Sequence, residues 1–269
     1  MYLGVDLGGS SIKFIACTSN MQVIEAFQVS SNLPPKNIIM KVNSLIQKYS
    51  IDKLVLTGVG ASFLAETDFE IKAAKILEFE AIGLGGLYTS NCKDALVISM
   101  GTGTALVRAN YNKRMHIGGI GVGGGTISGL GQLLIKEKEL AKISELANDG
   151  NLQKVDLLVG DICCDTIETL PLFLTAANFG KIEENISKSD IALGLLNMVY
   201  QIIVKTAMFA CMGAKTRNVI LTGALAEIKQ AKDIIEPFAK LYDLNFIIPR
   251  NAAFSTAIGA IVSQYGEEI

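Results

Sequence analysis

A chain of 269 residues, half of them apolar, is long enough for two intimately joined lobes around buried cores. Its net charge of −2 and its lack of Trp argue against a nucleic-acid surface or a base-stacking platform. Five cysteines (Cys17, Cys92, Cys163, Cys164 and Cys211) without a Cys-x-x-Cys pair, and a single His, argue against a zinc or iron–sulfur centre and point to a reducing compartment.

The first residues lead straight into a strand pattern with no charged stretch ahead of it, so no signal peptide is expected. Residues 2–5 read as a strand, Gly8-Gly9 as a tight turn and 12–17 as a second strand, with 23–29 as a third after a turn at Ser19-Asn20. Pro34-Pro35 punctuates the chain before a helix at 36–49, where Ile38, Ile39, Val42, Leu45 and Ile46 make one stripe. A buried strand at 53–56 meets Thr57-Gly58, and 70–90 reads as a helix. Next come a strand at 95–99, a Gly-Thr-Gly-Thr turn at 101–104, a strand at 105–109 and a hairpin tip at Tyr111-Asn112. The glycine-dense 118–125 feeds a helix at 126–137, and another helix spans 139–148. Residues 151–186 read as irregular and polar, until Ser187 or Ser189 caps a long helix at 190–213. The chain closes with a strand at 218–221, a helix at 226–241, a strand at 245–248 and a small-residue helix at 252–265. The most apolar long segment, 191–214, carries Asn197, Gln201 and Lys205 at its centre, so it reads as a core or interface helix and not a membrane span.

Two segments share one grammar. In VDLGGSSIK (5–13), Gly8 and Gly9 let backbone N–H groups approach an anion. Ser10 and Ser11 add hydroxyls, Lys13 adds charge, and Asp6 at the strand end is placed to hold Mg²⁺ through water. In SMGTGTAL (99–106), Gly101, Thr102, Gly103 and Thr104 repeat the pattern. Two such hairpins facing each other clamp a triphosphate, and neither turn leads directly into a helix as a dinucleotide fingerprint requires. A third turn, LTGALAE (221–227), places Gly223 for packing against adenosine. Buried strands ending in glycine turns at 3–9, 54–60, 96–103 and 219–223 are the grammar of a duplicated βββαβα unit. The glycines of 118–125 let backbone lie close to a ligand, with the helix N-terminus beyond them aimed at an anion or a substrate oxygen.

These segments, in this order, resemble the actin-like ATPase superfamily of sugar kinases, Hsp70 and actin. Finer features resemble its type II pantothenate kinases: LEFEAIGLG at 77–85, GGIGVGGGTISGLGQLL at 118–134, LTAANFG at 174–180 and AAFSTAIGA at 252–260. The resemblance implies an α/β, duplicated actin-like (ribonuclease H-like) fold with the nucleotide cleft between two lobes, 1–90 and 91–269. It implies ATP- and Mg²⁺-dependent phosphorylation of pantothenate, the committing step toward coenzyme A, by a cytoplasmic homodimer with no nucleic-acid or membrane partner. It places the catalytic carboxylate on Glu78, with Glu80 in the same motif but outside the catalytic position. It also places Gly118 and Gly119 on the substrate side, Gly123, Gly124 and Gly125 on the nucleotide side, and Thr175, Ala176 and Asn178 over the substrate's far end, across the dimer.

One position departs from the family. Where the family has an Arg two residues before the first Gly of its Gly-rich segment, this chain has His116. Three explanations stand open: Arg114 reaches the site, His116 serves there itself, or the substrate differs. The rival readings are a kinase of another small hydroxyl compound and a non-catalytic nucleotide or coenzyme A sensor on the same scaffold.

Overall fold

The structure, a computed structural model, describes residues 1–164 and 171–266. The first sheet is built from β1 (Tyr2–Leu7), β2 (Ser11–Cys17), β3 (Val23–Ser30), β4 (Lys53–Thr57) and β5 (Ala73–Lys75). Its order is β3-β2-β1-β4-β5, an antiparallel meander continued by two parallel strands. All six residues of β1 are buried, because helices cover both faces of the sheet. On one face α1 (Pro35–Tyr49) lays Ile38, Val42, Leu45 and Ile46 against Leu3, Val5, Ile12 and Phe14.

After α2 (Glu78–Ser90), the chain repeats the plan. A second meander, β6 (Asp94–Met100), β7 (Thr104–Asn110) and β8 (Lys113–Ile120), is followed by α3 (Gly124–Leu134) and α4 (Leu140–Ala147). A short ribbon of β9 (Leu157–Leu158), the single turn α5 (Val159–Ile162) and β10 (Thr175–Ala177) leads to α6 (Lys188–Cys211). Then β11 (Asn218–Thr222), α7 (Lys229–Tyr242), β12 (Asn245–Ile247) and α8 (Ser255–Tyr265) complete the chain. The second sheet has the order β12-β11-β6-β7-β8, which is the first sheet's order with each strand replaced by its counterpart. The expected duplication is present.

The sequence boundary near residue 90 separates the strands of the two sheets, but two helices cross it. Helix α2 packs on the second sheet, with Ile82 and Leu87 against Val97, Val107 and Ala109. Helix α8, the last element, returns to the first sheet and packs Ala257, Ile258 and Ile261 against Tyr2, Ile15 and Val55. The two helices therefore lie against each other between the sheets. A side chain at Gly85 would overlap the Ser255 carbonyl, and one at Gly259 would overlap the Ala81 carbonyl. The small residues of 252–260 thus serve backbone-to-backbone contact.

Helix α6 begins at Ser187, whose hydroxyl accepts the Asp190 N–H while the Asp190 carboxylate accepts the Ser187 N–H. Among the described residues it is the one helix long and apolar enough to span a membrane. Yet its Leu196, Val199, Tyr200 and Ile203 sit in the core under the second sheet, as the polar residues at its centre foretold.

Two local expectations change. The helix expected over 70–90 begins only at Glu78, and Ala73–Lys75 is the parallel edge strand β5. The Ala-rich run has helical propensity, but the β4 edge captures it, and the Ile76 N–H continues the ladder onto the Leu56 carbonyl at 2.9 Å. The helix expected at 126–137 is α3, two residues earlier at its start and three at its end. The glycine-dense segment opens as strand, because β8 runs on through Ile120, and its last two glycines already belong to α3. The region read as irregular carries the short ribbon, with residues 165–170 outside the described part.

Gly259→Ala should lower stability by about 1–3 kcal/mol in urea unfolding, because a methyl there must displace backbone. Gly129→Ala, exposed on α3 with nothing near its added methyl, should be neutral or stabilising by up to about 1 kcal/mol. Equal effects of the two would show that the α2–α8 contact tolerates separation.

Candidate active site

The first turn closes with the Gly8 N–H on the Ser11 carbonyl at 3.1 Å, and the second with the Gly101 N–H on the Gly103 carbonyl at 2.9 Å. The two tips meet: the Ser10 and Thr102 hydroxyls lie 2.6 Å apart, and a Cβ on Gly9 would come within 3.3 Å of the Thr102 Oγ1. Two hydroxyls sharing one hydrogen bond keep one proton free to donate. The Thr104 hydroxyl donates to the Val122 carbonyl at 2.8 Å, fastening the second turn to the segment before α3. A cleft of about 600 Å³ opens at these turns. It is lined by Asp6, Gly8, Gly9, Ser10, Ser11 and Lys13 on one side, Gly101, Thr102, Gly103, Thr104 and Gly119 on the other, and Glu78 between.

Asp6 and Lys13 face each other across the β1–β2 pair, with their charged atoms 3.5 Å apart and both side chains nearly buried. Burial pushes the Asp6 carboxyl above the usual range, opposed by Lys13. Gly58 lies against the same carboxylate at a backbone φ of +88°, and a Cβ there would sit 2.7 Å from Asp6 Oδ1. Thr57, the register partner of Asp6 in β4, is fully buried, and its hydroxyl has no hydrogen-bond partner among the described residues. Glu78 is the first residue of α2. Its carboxyl is also held above the usual range, first by burial and then by the charge of Asp6, against Lys13 and a hydrogen bond from the Val59 N–H.

The glycines before α3 have a different task from the one expected. The Gly124 and Gly125 N–H groups donate to the Gly101 and Thr102 carbonyls at 2.8 and 2.9 Å, so the helix's first amides are already engaged. A Cβ on Gly123 would come within 2.7 Å of the Thr102 carbonyl oxygen. Gly123 and Gly125 thus seat α3 under the second turn, and of the three only Gly124 lines the cleft. Gly223 does not line it either. At φ +87° it passes tightly by the Met100 backbone, as Gly58 passes Leu7, and delivers Ala224 and Leu225 to the wall. Gly118 lies on β8 outside the lining.

His116 is exposed on β8 and does not line the cleft; its ring stacks on Phe79, with centroids 3.8 Å apart and planes 5° from parallel. Arg114 is engaged elsewhere, in an ion pair with Glu80 and a 2.6 Å hydrogen bond to the Tyr111 carbonyl. Arg114 is thus not among the residues that line the cleft. Thr175 and Asn178 are not brought to the cleft. Each donates at 3.1 Å to the fully buried carboxylate of Asp156, which also accepts from Asn197 at 2.8 Å and the Phe179 N–H at 2.9 Å. Ala176 is left exposed at the ribbon. Of the cleft's apolar and small walls, Phe79, Ser128, Leu225 and Thr256 lie within the recognised motifs without having been singled out, and Leu140 lies in none of them.

Two duplicated sheets, facing glycine–hydroxyl turns and a carboxylate at a helix start define a phosphotransferase of the actin-like ATPase class. The Fumble family matches residues 89–262. Type II pantothenate kinases of Staphylococcus aureus, from strains USA300 and bovine RF122 / ET3-1, are each 31% identical over 271 residues, covering 97% of this chain and 98% of the relative. The chain belongs to the type II pantothenate kinase family. Among solved structures, component A of the Acidaminococcus fermentans (R)-2-hydroxyglutaryl-CoA dehydratase is 14% identical with a TM-score of 0.71, covering 99% of this chain and 98% of that one. A ROK family glucokinase from Streptomyces griseus, solved with glucose and AMPPNP, is 12% identical with a TM-score of 0.63, covering 96% and 97%. At such identities the likeness concerns the fold alone.

The raised Glu78 carboxyl has a consequence for stability. The folded chain holds a proton there that the unfolded chain has released, so stability from this source is present below the unfolded pKa and lost as pH rises through the folded one. Glu78→Gln should therefore be more stable than the parent near neutral pH, with the gap closing in mild acid, as read by urea unfolding. A gap that widens in acid would contradict the raised pKa.

Proposed function

We propose that this chain transfers the γ-phosphoryl group of ATP to the hydroxyl of pantothenate, giving 4′-phosphopantothenate and ADP at the first step of coenzyme A biosynthesis. The observation that carries this reading is the meeting of the two turns at Ser10 and Thr102, with Glu78, Asp6 and Lys13 in the same cleft. It is joined by the likeness to type II pantothenate kinases over 97% of the chain.

The turns hold the phosphates through backbone N–H groups and the free hydroxyl proton, and Leu225 and Ala224 lie against the adenosine. The acceptor hydroxyl sits by Glu78. Its oxygen forms the new bond to the γ-phosphorus, the bond to the β,γ-bridging oxygen breaks toward ADP, and the hydroxyl proton passes to the Glu78 carboxylate. A carboxyl raised by burial and by Asp6 is a stronger base than one in water, once ionised. Mg²⁺ fits beside Asp6: that carboxylate is buried against one Lys, and the unpartnered Thr57 hydroxyl lies on the neighbouring strand. Asp6 would hold the ion, which would supply neutralisation of phosphate charge.

Glu78→Gln should lower kcat by at least about 100-fold while leaving the KM for ATP within about twofold. Coupled assay of ADP release against pantothenate, with a blank lacking acceptor, reads this. Turnover retained in the variant would remove Glu78 from the base role.

We place the enzyme in the cytoplasm as a homodimer. Leu133 and Leu134 on α3 and Phe209 on α6 are apolar side chains left exposed, which a second copy would cover. The ribbon carrying Thr175, Ala176 and Asn178 would then reach the substrate of the partner copy. Sedimentation should give twice the chain mass, and Phe209→Glu should shift it toward the single chain. A wild type that sediments as one chain would overturn this assembly.

A further inference from the structure

The His116–Phe79 stack has no part in the fold's core, yet one of its members lines the reaction cleft. Phe79 directly follows Glu78, and its ring forms cleft wall beside that carboxylate. His116 reaches it from β8, three residues before Gly119, which also lines the cleft. The two rings come from different elements and lie almost parallel at 3.8 Å. Phe79 is 40% exposed, so without a ring on its outer face little would hold its side chain in one rotamer.

We infer that His116 is a positioning residue for the acceptor: it holds Phe79 flat, so that the ring forms an apolar wall for the substituted carbon beside the reacting hydroxyl. In pantothenate that carbon bears two methyl groups, and an aromatic face is the matching surface. The inference rests on Glu78 marking the acceptor side of the cleft. On this reading the imidazole acts through its ring face, and its charge is not required.

His116→Ala should raise the KM for pantothenate by at least about fivefold, with kcat and the KM for ATP each within about twofold of the parent. His116→Phe, which keeps a stacking ring and carries no charge, should restore the KM. Phe79→Leu should reproduce the defect, and the double variant should add little to it. An acceptor analogue lacking the two methyl groups should show no response to His116→Ala. Because the chain has one His, its imidazole proton signals can be assigned without ambiguity. They should carry a ring-current shift that Phe79→Leu removes. A fall in kcat without a change in KM, unrescued by Phe, would overturn the inference and put the imidazole at the reacting atoms. An unmoved KM would make the stack idle. A parent enzyme with no turnover on pantothenate would strike the kinase reading together with this role, whereas a normal parent with an unresponsive KM strikes this role alone.

Discussion

The contact between α2 and α8 sets the geometry of everything around it. Each helix follows a parallel strand of one sheet and packs its body on the other sheet, so the pair joins the two halves of the duplication. Gly85 and Gly259 let their backbones touch, which draws the sheets together at that level. Glu78 starts α2, and Thr256 lies in the first turn of α8; both open on the same cleft. A wider crossing would carry Glu78 away from the first turn, where Lys13 and Asp6 act on it.

The duplication is faithful in backbone and divided in chemistry. Thr57-Gly58 and Thr222-Gly223 both end a parallel strand, both place the glycine at φ near +88° against the neighbouring strand's end, and both enter a short 3₁₀ turn. By the same correspondence Asp6 matches Ser99, and Gly8 matches Gly101, within the two hairpins. The first half therefore supplies the charged groups beside its own Ser10 and Ser11, while the second supplies hydroxyls without charge and the wall at Leu225. Hydroxyls suit a surface that must accept phosphate oxygens closely. A second carboxylate in the place of Ser99 would repel them.

The parts legible in the sequence were those where residue type and backbone demand coincide. One Gly-hydroxyl turn is an ordinary hairpin feature, but two of them between buried strands are far more specific, so the two hairpins and the repeated strand order could be read directly. Among the long helices, α1 carried its apolar stripe and α6 its serine cap. What stayed hidden was decided at a distance. Ala73–Lys75 is strand because β4 offers an edge, which no local propensity records. That α2 and α8 cross to the opposite sheets is settled by packing between residues some 170 positions apart, as in the contact of Gly85 with Ser255. The glycines before α3 were read as open amides, but those amides meet carbonyls of the second turn, and only the assembled hairpin reveals it. Leu140 looks like any core leucine until the cleft is formed.

The electrostatics of the site come from the first half of the chain, where Asp6, Lys13 and Glu78 all lie. Asp6 and Glu78 both carry carboxyls raised by burial, and the charge of Asp6 raises Glu78 further. Lys13 tempers both, and it does so from 3.5 Å on Asp6. Among the described residues that line the cleft, Lys13 is the one cation: it offsets the burial of Asp6 directly and lowers the Glu78 carboxyl that Asp6 raises, so its removal would leave two carboxyls in one cleft with no positive side chain beside them.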